Sequence, residues 1–447
     1  MHPEVAAVLE RVVADRRALH RIPEPAREER LTAAYLAAAL HELGLEPRTG
    51  VGGHGLVCDL APSEGLERDS ANQSDAQADP SGDVVASGQS DTQADPSGDV
   101  VASNGTPFYG RPSNASNGTP FCGRPFGRPF TVALRADMDG LRIEERTGLP
   151  FSSVHPGLMH ACGHDGHMAM LLGAARIFAA HPPKHLRLRL LFQPAEEQFG
   201  GARDLIADGA LSGVDRVFGA HLWSWLSTGT VAACPGPMMA QTERFTIDVA
   251  ARGGHAALPR DTGDALVTAA LLVTALQTAV SRGVNLPAEP AVCTVGELHA
   301  GTAPNVIAAT AQLKGTLRAL TPEVMETLRG HVRRIAAGVA AANDAEARVT
   351  FTGGYPALIN HAAEHALVAA AAAQVADFTT AVPVMAGEDF SYYLRQAPGC
   401  FFFIGAGDPA VPVERRAHHH EPGFAFDERA LAVGVAMWHA LVRALDG

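Results

Sequence analysis

Five short stretches of this 447-residue chain hold residues that could do chemistry. They are Arg135-Ala136-Asp137-Met138-Asp139, the run from His160 to His167 (HACGHDGH), Gln193-Pro194-Ala195-Glu196-Glu197, Gly219-Ala220-His221, and His418-His419-His420-Glu421-Pro422. A thiol, imidazoles and carboxylates in loops that follow strands suit a borderline-soft divalent cation such as Zn, Mn, Co or Ni. They do not suit Ca or Mg, which want all-oxygen shells. The side chains of the adjacent pair Glu196 and Glu197 diverge, so one carboxylate can bind metal while the other reaches a metal-held water as general base. Taken singly, each feature has a plainer reading. Cys162 would be an inert buried thiol, His221 a satisfied core histidine, Glu196-Glu197 a solvated pair, and His418 to His420 a polar loop. Their coincidence on the loops of one sheet is what favours a site.

The elements that must position these residues alternate strand and helix. Apolar residues three and four apart predict helices over Val5–Leu19, Arg30–Leu43 and Met168–Ala180. Strands are expected at Gly55–Leu60, Thr131–Arg135, Leu186–Phe192 and Arg216–His221. That alternation implies an α/β layered domain, whose ligands sit beyond the carboxyl ends of its strands. From Thr242 the texture changes to strands at Phe245–Val249, Ala291–Val295, Ala309–Arg318 and Ala347–Phe351, with long helices at Ala265–Val280 and Pro322–Asn343. This reads as a split β-α-β two-layer unit. The expected organisation is a mixed α/β catalytic domain in two parts, 1–240 and 356–447, with an α+β domain inserted over 241–355.

Composition excludes several classes. Apolar residues make up 47% and charged residues 19%, as in an ordinary globular protein. No apolar run is long enough to span a membrane, and the first residues lack the pattern of a signal peptide. The six cysteines are scattered without a CxxC pair, which points to a reducing, cytoplasmic setting. The net charge of −13 is local: nine acidic residues between Ser63 and Ser103 face Arg68 alone. No basic stripe remains to neutralise phosphates, so nucleic-acid binding is not expected. The acidic stretch is a duplication, QSDAQADPSGDVVASG from Gln73 and QSDTQADPSGDVVASN from Gln89, followed by NGTPFYGRP and NGTPFCGRP. Too polar to bury a core, residues 62–129 are expected to form a disordered insertion that swells the loop of a hairpin.

The stretch ALRADMDGLRIEERTGLPFSSVHPGLMHACGHDGHMAMLLGAARIF, then LLFQPAEEQFGGARDLIADGAL and GAHLW, resembles the metal-dependent N-acyl-amino-acid amidohydrolases. These include hippurate hydrolases and indole-acetyl-amino-acid hydrolases, with aminoacylase and carboxypeptidases as relatives. RRALHRIPEPAREE, ARGGHAALP, GTAPNVIAATAQLKGTLRAL, MAGEDFSYYL and HHHEPGFAFDE extend the resemblance over nearly the whole chain, the repeats excepted.

The resemblance implies a metallopeptidase-like fold and two divalent ions held by Cys162, His164, Glu197, His221 and His420, with the thiolate between them. His420 is preferred to His419 through the family pattern His-x-Pro-x-Phe. Glu196 becomes the general base and Asp137 a carboxylate that orients a ligand. His255 would reach a neighbouring subunit's site to hold the developing oxyanion, and Asn305 and Arg318 would hold substrate. The inserted domain would join a homodimer or higher homo-oligomer and act as a lid. The implied substrate is a small N-acyl amino acid. The alternatives are a dipeptidase or carboxypeptidase on the same site, or a catalytically silent dimeric scaffold. Met159, Met239 and Leu298 are candidates for the specificity pocket.

Overall fold

The computed structural model describes residues 1–64, 130–198, 200–286 and 288–447. All but the first residues of the expected insertion, 62–129, lie outside them. Eight strands make the larger sheet, in the order Arg48–Val51, Gly55–Leu60, Leu186–Gln193, Phe130–Asp137, Arg216–Ser227, Gly399–Gly407, Thr230–Ala233 and Asp377–Thr380. The four central strands are mutually parallel. Parallel strands are covered on both faces and so read as apolar runs. Gly399–Gly407, GCFFFIGAG, is buried at every position. On one face the helices Pro3–His20, His164–Ala180 and Arg429–Asp446 enclose a core that includes Val12, Leu172, Phe178 and Trp438. On the other, Leu205, Phe390, Tyr393 and Phe401 form a second cluster.

Three sequence expectations change. Gly55–Leu60 and Phe130–Asp137 do not form a hairpin, because Leu186–Gln193 lies between them and pairs antiparallel with the first and parallel with the second. The long intervening segment removes the need for neighbouring strands that a tight turn would impose. The third helix starts at His164 rather than Met168, so four of the six residues of the CGHDGH motif form its first turn. The strand Gly399–Gly407 was not anticipated, since a short apolar run carries no period of its own.

The smaller sheet is antiparallel, in the order Ala291–Ala300, Thr310–Ala319, Gln241–Ala251 and Ala345–Thr352. With the helices Ala265–Leu276 and Pro322–Ala341 it follows a β-α-β-β-α-β order. Both helices begin as their sequences demand. Asp264 accepts hydrogen bonds from the backbone of Leu266 and Val267, and Thr321 caps the second helix with Pro322 in its first turn. Phe245, Ile247, Leu272, Leu313, Leu328 and Val332 belong to its own core. Among the described residues no helix is long and apolar enough to cross a membrane.

Candidate metal centre

The strand Phe130–Asp137 ends in a fully buried carboxylate, and Asp139 follows two residues later. The two oxygens of Asp139 accept the backbone N–H groups of Glu196, at 3.1 Å, and of Glu197, at 3.0 Å. Ala195 is left-handed, with φ +57°, and donates its N–H to Glu29 at 2.8 Å. Gly201 lets the next helix approach this turn, because a Cβ there would lie 1.8 Å from the carbonyl oxygen of Pro194. Side chains thus hold the tight turn that presents the Glu196-Glu197 pair.

Ring tautomers decide which histidines keep a free nitrogen. His164 Nδ1 donates to the Asp139 carbonyl at 2.9 Å, which leaves Nε2 as an acceptor. That Nε2 is buried without a hydrogen-bond partner, 3.9 Å from Glu197 Oε1. His221 Nδ1 donates to the Leu222 carbonyl at 2.6 Å, which turns Nε2 toward Cys162 Sγ at 3.4 Å. His420, itself left-handed at φ +67°, brings Nε2 to 3.0 Å from Glu197 Oε1. His167 and His419 differ. His167 donates to Asp137 at 2.6 Å and accepts the N–H of Leu222 at 2.9 Å, so both nitrogens are taken. His419 Nε2 donates to the Leu222 carbonyl at 2.8 Å, and its Nδ1 lies 3.3 Å from Ser224 Oγ. Burial drops the His419 pKa to about 3, so the ring is neutral.

Donor atoms of Cys162, His164 and His221 lie within 4.8 Å of one another, as do those of Cys162, Glu197 and His420. The two triads share the thiol. Local charge also asks for a cation. Burial opposes charge on His164, yet Asp137, Asp139 and Glu197 raise its pKa to about 10, so without a cation the ring would hold a proton on Nε2, the proton a divalent ion would displace. Burial and the carboxylates of Glu197, Glu196 and Asp137 hold the Cys162 thiol well above its usual range. An orphaned imidazole nitrogen, a thiol and a carboxylate in one acidic pocket fit two divalent ions bound through N, S and O.

Residues 133–444 match the model of peptidase family M20/M25/M40. The chain belongs to that family. It is 43% identical over 306 residues to an N-acetyl-L-cysteine deacetylase of Bacillus subtilis (strain 168), a match covering 67% of this chain and 71% of the relative. It is 37% identical over 321 residues to thermostable carboxypeptidase 1 of Saccharolobus solfataricus, covering 70% and 79%. The YXEP protein of Bacillus subtilis, described as a dinuclear metal binding peptidase from the M20 family, superposes with a TM-score of 0.75 at 26% identity, over 98% of this chain and 99% of that one. This M20-family chain is accordingly a hydrolase of the metallopeptidase-related amidohydrolase kind.

The remaining expected site residues of this M20 chain fall in two places. Arg318 lines a cavity of about 710 Å³ that also takes in Cys162, Glu196, Glu197, His221 and His420. Its Nη1 donates to the Met385 carbonyl at 2.6 Å. His255 and Asn305 stay outside this cavity, on an exposed ribbon that pairs Gly254–His255 with Val306–Ile307. Met239 lines the cavity, whereas Met159 is buried elsewhere and Leu298 is exposed. Asp137 is hydrogen-bonded to His167 and Arg135, and its Oδ1 also lies 3.8 Å from Nδ1 of His164, which donates to the Asp139 carbonyl.

Sequence reading did not foresee what several residues contribute. Arg135, fully buried, donates to Asp137 at 2.6 Å, Gln193 at 2.8 Å, Glu388 at 3.1 Å and Asp389 at 2.9 Å. This explains the Gly387-Glu388-Asp389 motif as a partner of Arg135. Trp223 and Trp225 form an aromatic wall in the cavity, with Trp225 stacked on His418 at 4.1 Å. Only GAHLW, as part of the family resemblance, had marked the first of these tryptophans; it lies inside the strand Arg216–Ser227.

Proposed function

We propose that this chain hydrolyses the amide bond of N-acyl amino acids. The observation that carries the reading is the pair of donor triads joined at Cys162, set beside a carboxylate kept ready for a proton. Burial, then the charges of Glu388, Glu197 and Asp389, push the Glu196 carboxyl well above its usual range. A raised proton affinity makes the carboxylate a stronger base toward a metal-held water, and the proton it takes can be returned to a leaving nitrogen. Two divalent ions, of Zn, Mn, Co or Ni, held by Cys162, His164, Glu197, His221 and His420 would polarise the scissile carbonyl and lower the pKa of the attacking water.

The other groups sort the substrate. Arg318 presents a guanidinium to the amino-acid carboxylate, which it can bind bidentately. Trp223 and Trp225 offer flat apolar surface to the acyl group, in a cavity larger than an acetyl group needs. Asp137 acts through His167, which braces the strand that carries His221. His255 and Asn305 serve the site of a second copy, His255 holding the developing oxyanion. The surface that suits such a homo-oligomer is the exposed apolar face of the helix Ala265–Leu276 together with the edge strand Ala291–Ala300. Residues 241–355 would then form the joining and lid domain.

The test is metal content by elemental analysis, with amino-acid release from N-acetyl and N-benzoyl amino acids and from dipeptides on the same samples. Near two metals per chain, with acyl substrates preferred, is the expected result. Glu196→Gln should keep the metals and lose at least about 100-fold in kcat. Preference for dipeptides would move the reading to the peptidase alternative, and bound metal without any turnover to a silent scaffold.

A further inference from the structure

The turn that presents Glu196 is held almost entirely from within the larger sheet's surroundings. The N–H of Ala195 goes to Glu29, those of Glu196 and Glu197 go to Asp139, and the Ala195 carbonyl accepts the N–H of Gly201. The carbonyl of Glu196 itself is the exception. It accepts a hydrogen bond from the hydroxyl of Tyr355, 159 residues away in the chain.

Tyr355 follows the last strand of the smaller sheet, at one of the two places where the chain passes between the sheets. The other is at Thr242, and the two are tied together. Thr242 donates its N–H to the Tyr355 carbonyl at 3.0 Å, and Tyr355 donates its own N–H to Thr242 Oγ1 at 3.1 Å. So close an approach requires glycine at 354, where φ is +105° and a Cβ would fall 1.8 Å from the Thr242 carbonyl oxygen. Tyr392 donates to the Gly354 carbonyl at 3.2 Å and meets the Tyr355 ring edge to face. The ring is therefore braced at its backbone, its flank and its hydroxyl.

We infer that Tyr355 is a positioning residue for Glu196, and that through it the setting of the smaller sheet reaches the base. The inference rests on the reading of Glu196 as the general base. The hydroxyl holds the main chain from which the Glu196 side chain departs, and rotation of that peptide would swing the carboxylate away from the attacking water. A displacement of about 1 Å in a reacting group can cost roughly 100-fold in rate. Since the hydroxyl bonds to the backbone rather than to the carboxylate, its removal leaves the proton affinity and the metal donors in place. What changes is aim.

The test measures kcat, KM and metal content for the parent, Tyr355→Phe, Glu196→Gln and the double variant, on the acyl amino acid that the parent hydrolyses best. Tyr355→Phe should lower kcat roughly 10- to 100-fold, with KM within about twofold and metal content unchanged. In the Glu196→Gln background the same change should cost nothing further, because no base remains to be aimed. Parental kcat in Tyr355→Phe overturns the inference, as does a raised KM with kcat kept, which would make the hydroxyl a substrate contact. An equal loss in both backgrounds also overturns it. If Glu196→Gln alone keeps parental activity, the base assignment fails instead, which separates the two claims. Should Tyr355→Phe not fold, Thr242→Val decides: a smaller fall in kcat alone supports the strut, and parental kcat refutes it.

Discussion

The two sheets dispose of their polar and apolar residues in opposite ways. Around the larger sheet the interior holds Arg16, His20, Arg135, Asp137, Asp165 and Glu388, all essentially buried. Within described residues 241–355, Glu243 is the one buried charged side chain, but Leu258, Leu266, Val267, Leu271, Leu286, Leu298 and Val306 are exposed. Buried charge is costly unless fully paired, so a fold keeps it where it positions chemistry. Exposed apolar surface costs solubility, and a fold keeps it where something covers it. One region gathers paired buried charge around the candidate site, and the other exposes apolar side chains.

The largest expected effect comes from an arginine on each side of that divide. Arg135 is fully buried and faces Asp137, Glu388 and Asp389. Arg135→Met leaves three carboxylates without their cation and should cost roughly 3–5 kcal/mol, enough to threaten folding. Arg329 in the smaller unit makes a similar bidentate pair with Glu243, but with 29% of its side chain exposed. Arg329→Met leaves the Glu243 carboxylate without its cation beside solvent and should cost less, about 1–2 kcal/mol. Urea midpoints for the two variants check this, and equal losses would break the distinction between the sheets.

Acid sensitivity should also belong to the larger sheet. His20 lies 2.8 Å from Asp165 through Nδ1 and 3.2 Å from Glu145 through Nε2. Both partners are acceptors, so both ring nitrogens must carry protons and the ring is a cation. Burial works against that charge, but the charge and hydrogen bond of Asp165 and the hydrogen bond to Glu145 together outweigh it and raise the His20 pKa. Burial likewise pushes the Glu145 carboxyl up, but hydrogen bonds from His20, Thr147 and the Ser153 N–H bring it down to about 2. A lowered carboxyl contributes stability above its unfolded value of 4.5, lost as pH falls toward about 2. A raised imidazole contributes below its unfolded value of 6.5, lost as pH rises through its folded value. Glu145→Gln should therefore cost about 1.5–3 kcal/mol at pH 5 to 6. The gap in Tm between variant and parent should close as the pH is lowered from about 4.5 to about 2. A gap independent of pH would show that the pair is not ionic.

How much of this was legible in the sequence follows from the range of each interaction. The stretches that hold Cys162, His164, Glu197, His221 and His420 stood out by residue type, but the choice of those five came from the family resemblance; His221 lies inside the strand Arg216–Ser227, and His420 in a loop well past Gly399–Gly407. The free Nε2 of His164 and the occupied Nε2 of His167 could not be told apart, since three residues of spacing say nothing about what each ring bonds. Arg135 with Glu388, and Tyr355 with Glu196, are contacts across 253 and 159 residues with no local signature. The hairpin expected around the repeats failed for a related reason: strand order is set by which apolar faces pack, not by nearness in the chain.

The smallest effect on the chain's own stability should come from the most informative change. Leu271 is 46% exposed on the helix Ala265–Leu276, beside exposed Leu266 and Val267. Leu271→Asp removes little buried area within one chain, so a monomer should lose no more than about 0.5 kcal/mol. If that face joins two copies, the same substitution places a charge in an apolar contact and shifts the assembly toward monomer, as light scattering after gel filtration would measure. Activity then becomes the second readout. His255 lies outside its own cavity, so a site completed by the partner's His255 should lose kcat when the copies separate, while keeping its metals. A monomer of parental activity would instead place His255 outside the reaction and leave the ribbon a surface feature. A variant that stays assembled and active would remove this helix face from the interface and break the contrast between the two sheets at its apolar end.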